Sequence, residues 1–233
     1  MKLLAVNTAT PCCGVAVIND EAVTAVATVN SRDTHARRLL PLIDETLKNG
    51  RLTVADLDGF AVVRGPGSFT GLRIGISTVK GLAAAWDRPL AAISSLDALA
   101  YPCSECRQTI CALIDARKNQ VYACWYRYRG RTMEKLTDEE VLPPEAAAGR
   151  FNGDCLFVGT GADVYRTVIE KAAGATARFM PPFQNDIRPE VVAHLGMQRL
   201  NDREADDPAD LAPVYVRPPD AIIGRPTPPG DNG

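Results

Sequence analysis

Histidine is almost absent from this sequence: His35 and His194 are the only two in 233 residues. Neither has a histidine one helical turn away, so the paired imidazoles of a helical zinc peptidase are excluded. A surplus of charge is lacking as well. With 26 Lys and Arg against 28 Asp and Glu the net charge is -2, and a chain that held nucleic acid by itself would need clustered cations to displace condensed counterions. Any RNA contact is therefore expected to be shared with a partner. No apolar run approaches the roughly 20 residues of a membrane span, so a helical membrane protein is not expected. The seven cysteines (Cys12, Cys13, Cys103, Cys106, Cys111, Cys124 and Cys155) are odd in number and lack the dense spacing of a secreted disulfide scaffold. Reduced thiols are expected. The opening Met1 to Asn7 offers one Lys and too few apolar residues for the core of a secretory leader, and the expected location is cytoplasmic.

What is present is the material of a globular α/β protein, 46% hydrophobic and 23% charged, enough for one large core or two modest ones. Lys2 to Asn7, Gly14 to Ile18 and Ala22 to Val29 read as a three-strand meander, with Asn19-Asp20-Glu21 as a tight turn. Leu39, Leu40, Ile43 and Leu47 follow helical spacing from His35 to Asn49, where Asn49-Gly50 is the stop and Pro41 an expected kink. A strand at Phe60 to Arg64 leads through a glycine-rich loop into a helix striped by Leu72, Ile76, Val79, Ala83 and Trp86, which Pro89 ends. A short strand at Leu90 to Ile93 and a capped helix from Ser95 follow.

The same order then recurs. Thr109 to Ile114 ends in Asp115-Ala116-Arg117 as Leu3 to Val6 ends in Asn7-Thr8-Ala9, at an offset of 108 residues. Leu156 to Gly161 leads into a helix as Val62 to Gly67 does. Two tandem α/β lobes are expected, a first over 1–104 and a smaller second over 105–210. A strand over 211–217 is expected to return to the first lobe, and the Pro- and Gly-rich residues 218–233 are expected to be disordered.

The loop Gly65 to Gly71 is the sharpest local signal. Gly65 and Gly67 permit close backbone approaches, Ser68 precedes the helix, and the helix start presents N–H groups to an anion. The spacing fails both the P-loop and the dinucleotide fingerprint, because no Gly-Lys-Ser/Thr follows and Thr70 stands at the third glycine position. A degenerate or shared phosphate site at Gly65, Gly67 and Ser68 and a purely structural turn both remain open. Ser68 has no histidine placed to activate it, so a Ser-His-Asp hydrolase is a poor fit. Cys103-x-x-Cys106 with Cys111 and Cys124 allows zinc without requiring it, and Asp115 reads either as a remnant acid or as a carboxylate bonding its own turn.

Arg64-Gly65-Pro66-Gly67-Ser68-Phe69-Thr70-Gly71-Leu72-Arg73-Ile74-Gly75 resembles the signature of the TsaB (YeaZ) family. Ile114-Asp115-Ala116-Arg117 before Val121-Tyr122, and Pro213-Val214-Tyr215-Val216-Arg217, match in order. The resemblance implies two RNase H-like lobes of the actin, sugar-kinase and heat-shock ATPase superfamily with a degenerate active site. It further implies a non-catalytic subunit that activates the catalytic paralogue TsaD, with TsaE as ATPase, in placing threonylcarbamoyl on the adenosine beside the anticodon of tRNAs reading codons that begin with A. Asn7 stands where active ATPases of that superfamily carry a metal-positioning Asp. An amide supplies no such charge, so no cofactor, no metal and no independent ATP hydrolysis are expected.

The expected functional surface is then a protein-binding one. With Leu39, Ile43 and Leu47 facing inward, Arg38 and Leu42 are expected on another face of the first helix. Gly71 and Gly75 with Thr78 are expected to thin the second. The resemblance implies that these two helices bundle with TsaD, or with a second copy when TsaD is absent, which assigns Arg38, Leu42, Gly75 and Thr78 to the contact.

Overall fold

The computed structural model describes residues 1–30 and 34–216; Arg217 and the expected tail over 218–233 lie outside the described residues. The first unit opens with β1 (Lys2–Asn7), β2 (Cys12–Asn19) and β3 (Ala22–Asn30), an antiparallel meander whose second turn places Asp20 at φ 51. α1 (His35–Asn49) continues unbroken through the exposed Pro41, and is followed by β4 (Gly59–Gly65), α2 (Phe69–Trp86) and β5 (Leu90–Ser94). β4 lies parallel to β1 and β5 parallel to β4, so the sheet order is β3-β2-β1-β4-β5. β1 is central and apolar on both faces, as Leu3 to Val6 demand: all four are buried.

α3 (Ser95–Ala100), capped by the Ser94 hydroxyl, which accepts from Leu96 N and Asp97 N, leads across to the second unit. That unit contains β6 (Thr109–Arg117), β7 (Gln120–Arg129), β8 (Thr132–Lys135), β9 (Glu140–Leu142), α4 (Pro144–Ala148), β10 (Cys155–Val158), α5 (Thr160–Val164), α6 (Arg166–Ala173) and β11 (Ala177–Phe179). Its order, β8-β7-β6-β10-β11 with β9 also on β7, repeats the first sheet strand for strand, and β10 is parallel to β6 as β4 is to β1. The duplicated unit read from the sequence is the architecture of the molecule.

Three apolar clusters hold these layers. α1 and α2 pack Leu39, Ile43, Leu47, Ile76, Val79 and Ala83 on one face of the first sheet against Val6, Val15, Val17, Phe60 and Val62. The opposite face joins the lobes, because Leu3, Ala5, Ala61 and Val63 share a cluster with Ile110, Ala112, Ile114 and Tyr126 of the second sheet. The far face of the second sheet carries its own cluster around Trp125 and Phe157.

Two boundaries differ from expectation. α7 (Pro189–Asn201), expected within a second lobe reaching residue 210, packs on the first sheet, where Val192, Ala193 and Met197 join Leu3 and Ala61. The approach is close: a Cβ on Gly196 would stand 2.5 Å from the Ala61 Cβ. Sequence order does not tell a helix which sheet to cover, and α7 covers the face that α1 and α2 leave open. Residues 211–216 do return to the first lobe as expected, with Val214 N donating to Arg64 O at 2.8 Å, but they form no strand. Pro213 has no N–H to continue a ladder there.

Candidate functional site: the inter-lobe cleft and the outer helix face

A cleft of about 780 Å³ opens between the lobes, lined by the β1–β2 loop, His35 and Gly67 to Thr70 on one side and by Ile114 to Arg117, Thr160, Asp163, Asn185 and Asp186 on the other. Gly67 and Ser68 reach this cleft; Gly65 does not. Gly65, at φ 115, sits where a Cβ would meet Val214 O at 2.8 Å, and a Cβ on Gly67 would meet Ala9 O at 2.4 Å. Both glycines therefore serve close backbone packing. Ser68 N donates to Ala9 O at 2.7 Å, and Ser68 Oγ accepts from Gly71 N at 3.2 Å as the cap of α2.

Two acids of the cleft, Asp115 and Asp163, are engaged in local structure. Asp115 Oδ1 accepts from Arg117 N at 2.8 Å and from the Tyr165 hydroxyl at 3.1 Å, while its Oδ2 pairs with the Arg117 guanidinium at 3.3 Å. It bonds its own turn, one of the two readings its sequence context left open. Asp163 accepts from Asn185 Nδ2 at 2.8 Å, and Asn185 Oδ1 in turn takes the Gly159 N–H. Burial, and secondarily the nearby Asp163, push the Asp186 carboxyl above its ordinary value.

Asn7 is fully buried behind the loop. Its Nδ2 donates to Ile187 O at 3.2 Å and more weakly to Cys12 O at 3.5 Å, and its Oδ1 accepts from Ala9 N at 3.0 Å. The amide ties both lobes to the β1–β2 loop and uses its donor and its acceptor to do so. His35 Nε2 contacts Thr10 O at 3.0 Å, and burial lowers its pKa below the ordinary imidazole value. His194 lies in α7 beside Tyr101 and Gln198. Burial raises the Cys12 and Cys13 thiols to about 11, which leaves little thiolate at neutral pH. Cys111 and Cys124, considered as ligands beside Cys103 and Cys106, sit in clusters on opposite faces of the second sheet.

The helix face corrects two of the four residues expected there. Leu42 is 6% exposed and belongs to the stripe Leu39, Leu42, Ile43, Thr46, Leu47, whereas Leu40 is 58% exposed. Leu40 keeps helical spacing with Ile43 and Leu47 just as Leu42 keeps it with Leu39 and Thr46, and packing on the sheet selects Leu42. Gly75 also points inward: a Cβ there would stand 2.2 Å from Thr8 Oγ1, and one on Gly71 would stand 2.1 Å from Thr8 O. These glycines let α2 approach β1's following loop. Arg38 is exposed and Thr78 half-exposed, as expected. The thin outer side of α2 is instead Ser77, Gly81 and Ala85, spaced by one helical turn and all exposed, with open space around Gly81. That spacing was visible in the sequence.

Residues 26–225 match the family model described as "TsaD: tRNA N6-adenosine threonylcarbamoyltransferase". The chain is also 38% identical over 228 residues to the tRNA threonylcarbamoyladenosine biosynthesis protein TsaB of Haemophilus influenzae, covering 93% of this chain and 94% of the relative. The chain belongs to the TsaB family. YeaZ from Pseudomonas aeruginosa, the same family under its other name, superposes with a TM-score of 0.79 at 30% identity, covering 92% of this chain and 99% of that one. Component A of the Acidaminococcus fermentans (R)-2-hydroxyglutaryl-CoA dehydratase, at a TM-score of 0.51 and 11% identity over 86% of this chain and 99% of its own, shares the fold alone. Within this TsaB-family chain the glycines of Arg64 to Gly75 make close contacts, Gly65 with Val214, Gly67 with Ala9, and Gly71 and Gly75 with Thr8. The second motif, around Tyr215, straps α2: the Tyr215 ring stacks on Phe69 at 4.9 Å and its hydroxyl accepts from Arg73 Nε at 3.0 Å.

Proposed function

We propose that this TsaB-family chain is the non-catalytic subunit of the machinery that transfers threonylcarbamoyl to the adenosine next to the anticodon of tRNAs reading codons beginning with A. It binds and activates a TsaD-type catalytic paralogue, works beside a TsaE-type ATPase in the cytoplasm, and meets tRNA only through the assembled complex. The relatives' names and the family model support the pathway. The observation that carries the subunit role is Asn7: the position where a metal-positioning acid is needed holds a buried amide engaged with Ile187, Cys12 and Ala9. Asp115 and Asp163, the cleft's other acids beside Asp186, hold the turns around them, which fits a role in association.

The partner face in this reading is the outer side of α1 and α2, with Arg38, Leu40, Ser77, Thr78, Gly81 and Ala85. Leu42 and Gly75 shape it from beneath. Leu40 is an apolar side chain that burial would favour by about 1.5–3 kcal/mol, and the small residues of α2 admit a facing helix at close range. In the partner's absence the same face takes a second copy. The test is Leu40→Glu with Gly81→Arg. Because both positions are open in the isolated chain, the variant is expected to fold normally, yet to lose at least about tenfold in affinity for the catalytic partner and a corresponding share of tRNA modification. Wild-type binding and modification by the folded variant would place the partner elsewhere. ATP hydrolysis by the purified chain, lost on removing Asp115, would favour an independent ATPase.

A further inference from the structure

Beyond the helix face, the first sheet carries an edge that is built differently from every other described edge. An open strand edge presents unpaired N–H and C=O groups, and proteins blunt such edges with short strands, charges, proline or a cover. β11 has three residues and includes Arg178; β9 has three and includes Glu140; β8 has four, with Glu134 and Lys135. β5 is covered: Ala92 N donates to the Asp206 carboxylate at 2.7 Å, Ala92 O accepts from Arg199 at 2.6 Å, and Leu90 bridges to Asp206. Among the described residues β3 has no charge, proline or cover of this kind, and its one blunting device is the bulge at Thr24, near its start. It is nine residues long, Ala-Val-Thr-Ala-Val-Ala-Thr-Val-Asn, without a charge, a proline or a glycine. Among the described residues no loop or turn backbone hydrogen bond involves it. Val23 is 53% and Val26 43% exposed.

The sequence of this strand reads the same in both directions about Val26, from Val23 to Val29. In an antiparallel pair related by a two-fold axis at Val26, Ala25 faces Ala27 of the other copy, Thr24 faces Thr28, and Val23 faces Val29. Each residue meets its own kind, and Thr–Thr and β-branched pairs are the favourable cross-strand combinations. We propose that β3 is a self-association edge, on which β3 of a second copy adds antiparallel about Val26 to make one sheet continuous across two chains. The bulge that leaves Thr24 without a β2 partner falls on the Thr24–Thr28 and Val23–Val29 pairs, so the regular centre of the second ladder is Ala25 to Ala27 about Val26, with the outer pairs adjusting around it. The occupant is a second copy because the symmetry of the strand is the symmetry of an isologous interface. An unrelated extended segment would gain nothing from the palindrome.

This edge is separate from the helix face, so the two are tested apart, using the full chain with Leu40→Glu and Gly81→Arg to block that face. Sedimentation of this blocked chain is expected to show a concentration-dependent dimer. Adding Val26→Lys, which sets like charges on the axis at an already exposed position, is expected to raise the dissociation constant at least about tenfold. Independently, Val26→Cys is expected to cross-link to its own copy with a short bis-maleimide, because opposed Cβ atoms in a strand pair stand about 5 Å apart, whereas Arg131→Cys in the β7–β8 turn is not. The proposal is overturned if the blocked chain stays monomeric throughout the range, if folded Val26→Lys dimerises as well as its parent, or if Val26→Cys cross-links no more than Arg131→Cys. Concentration-independent exchange protection of those β3 amides that are not bonded to β2 would mean another occupant, and would overturn it as well.

Discussion

An amide can donate where a carboxylate cannot, and Asn7 uses that difference. Asn7→Asp would set a carboxylate oxygen against Ile187 O and Cys12 O inside the molecule while keeping only the bond from Ala9 N. A buried group that loses its partner costs about 1–3 kcal/mol, more when charged. Asn7→Asp is therefore expected to destabilise by at least that amount in denaturant titration and to bring no ATP turnover with it. Asp186 works in the opposite sense. Its folded pKa lies above the unfolded value, so the folded state binds the proton more tightly and stability falls as pH rises from 3.8 through the raised value. The cost of the buried charge then persists at neutral pH. Asp186→Asn is expected to raise the melting temperature at pH 7, with the gain vanishing below pH 3.8; a gain independent of pH would refute the electrostatic account.

At the scale of the element, α2 shows why glycines of one helix are not equivalent. Gly67, in the loop before it, faces Ala9 O at 2.4 Å from an added Cβ, and that neighbour is backbone with no rotamer to adopt. Gly67→Ala is expected to cost about 1–3 kcal/mol by overpacking. Gly81 faces open space, so Gly81→Ala is expected to stabilise by up to about 1 kcal/mol through helix propensity. Thermal unfolding of the two single variants checks the opposite signs. Helix positions and lengths were legible here: α1 has the bounds its spacing gives, and Ser68 caps α2 as a residue of its type does. The inward faces were not fully legible. Four leucines of α1 fit one stripe as well with Leu40 as with Leu42, and only the sheet beneath selects Leu42.

Across the whole molecule, the near balance of charge predicts that the isolated chain will not hold tRNA tightly at physiological salt. Filter binding is expected to show retention only when the catalytic partner is added, and submicromolar binding by the chain alone would contradict this. The duplication was readable at this scale because both copies keep a strand followed by a polar turn at the same offset, Asn7 and Asp115. The lobe boundary was misread after residue 188, because α7 follows the second sheet in the chain but covers the first. Likewise, nothing in Gly71 and Gly75 as letters says whether a glycine makes room for another chain or for Thr8.

The sequence by itself determined the elements, their order, the repeated unit and the family, because periodicity, capping and turn chemistry act over a few residues and leave their pattern in the chain. It also wrote the palindrome of β3. Only the tertiary structure decided which leucine and which glycines of α1 and α2 face outward, where α7 packs, that Asn7 bridges two lobes, and that β3 is an edge no other described strand or loop covers. Those outcomes depend on contacts between residues as far apart as Asn7 and Ile187, and such contacts exist only once the layers have closed on one another.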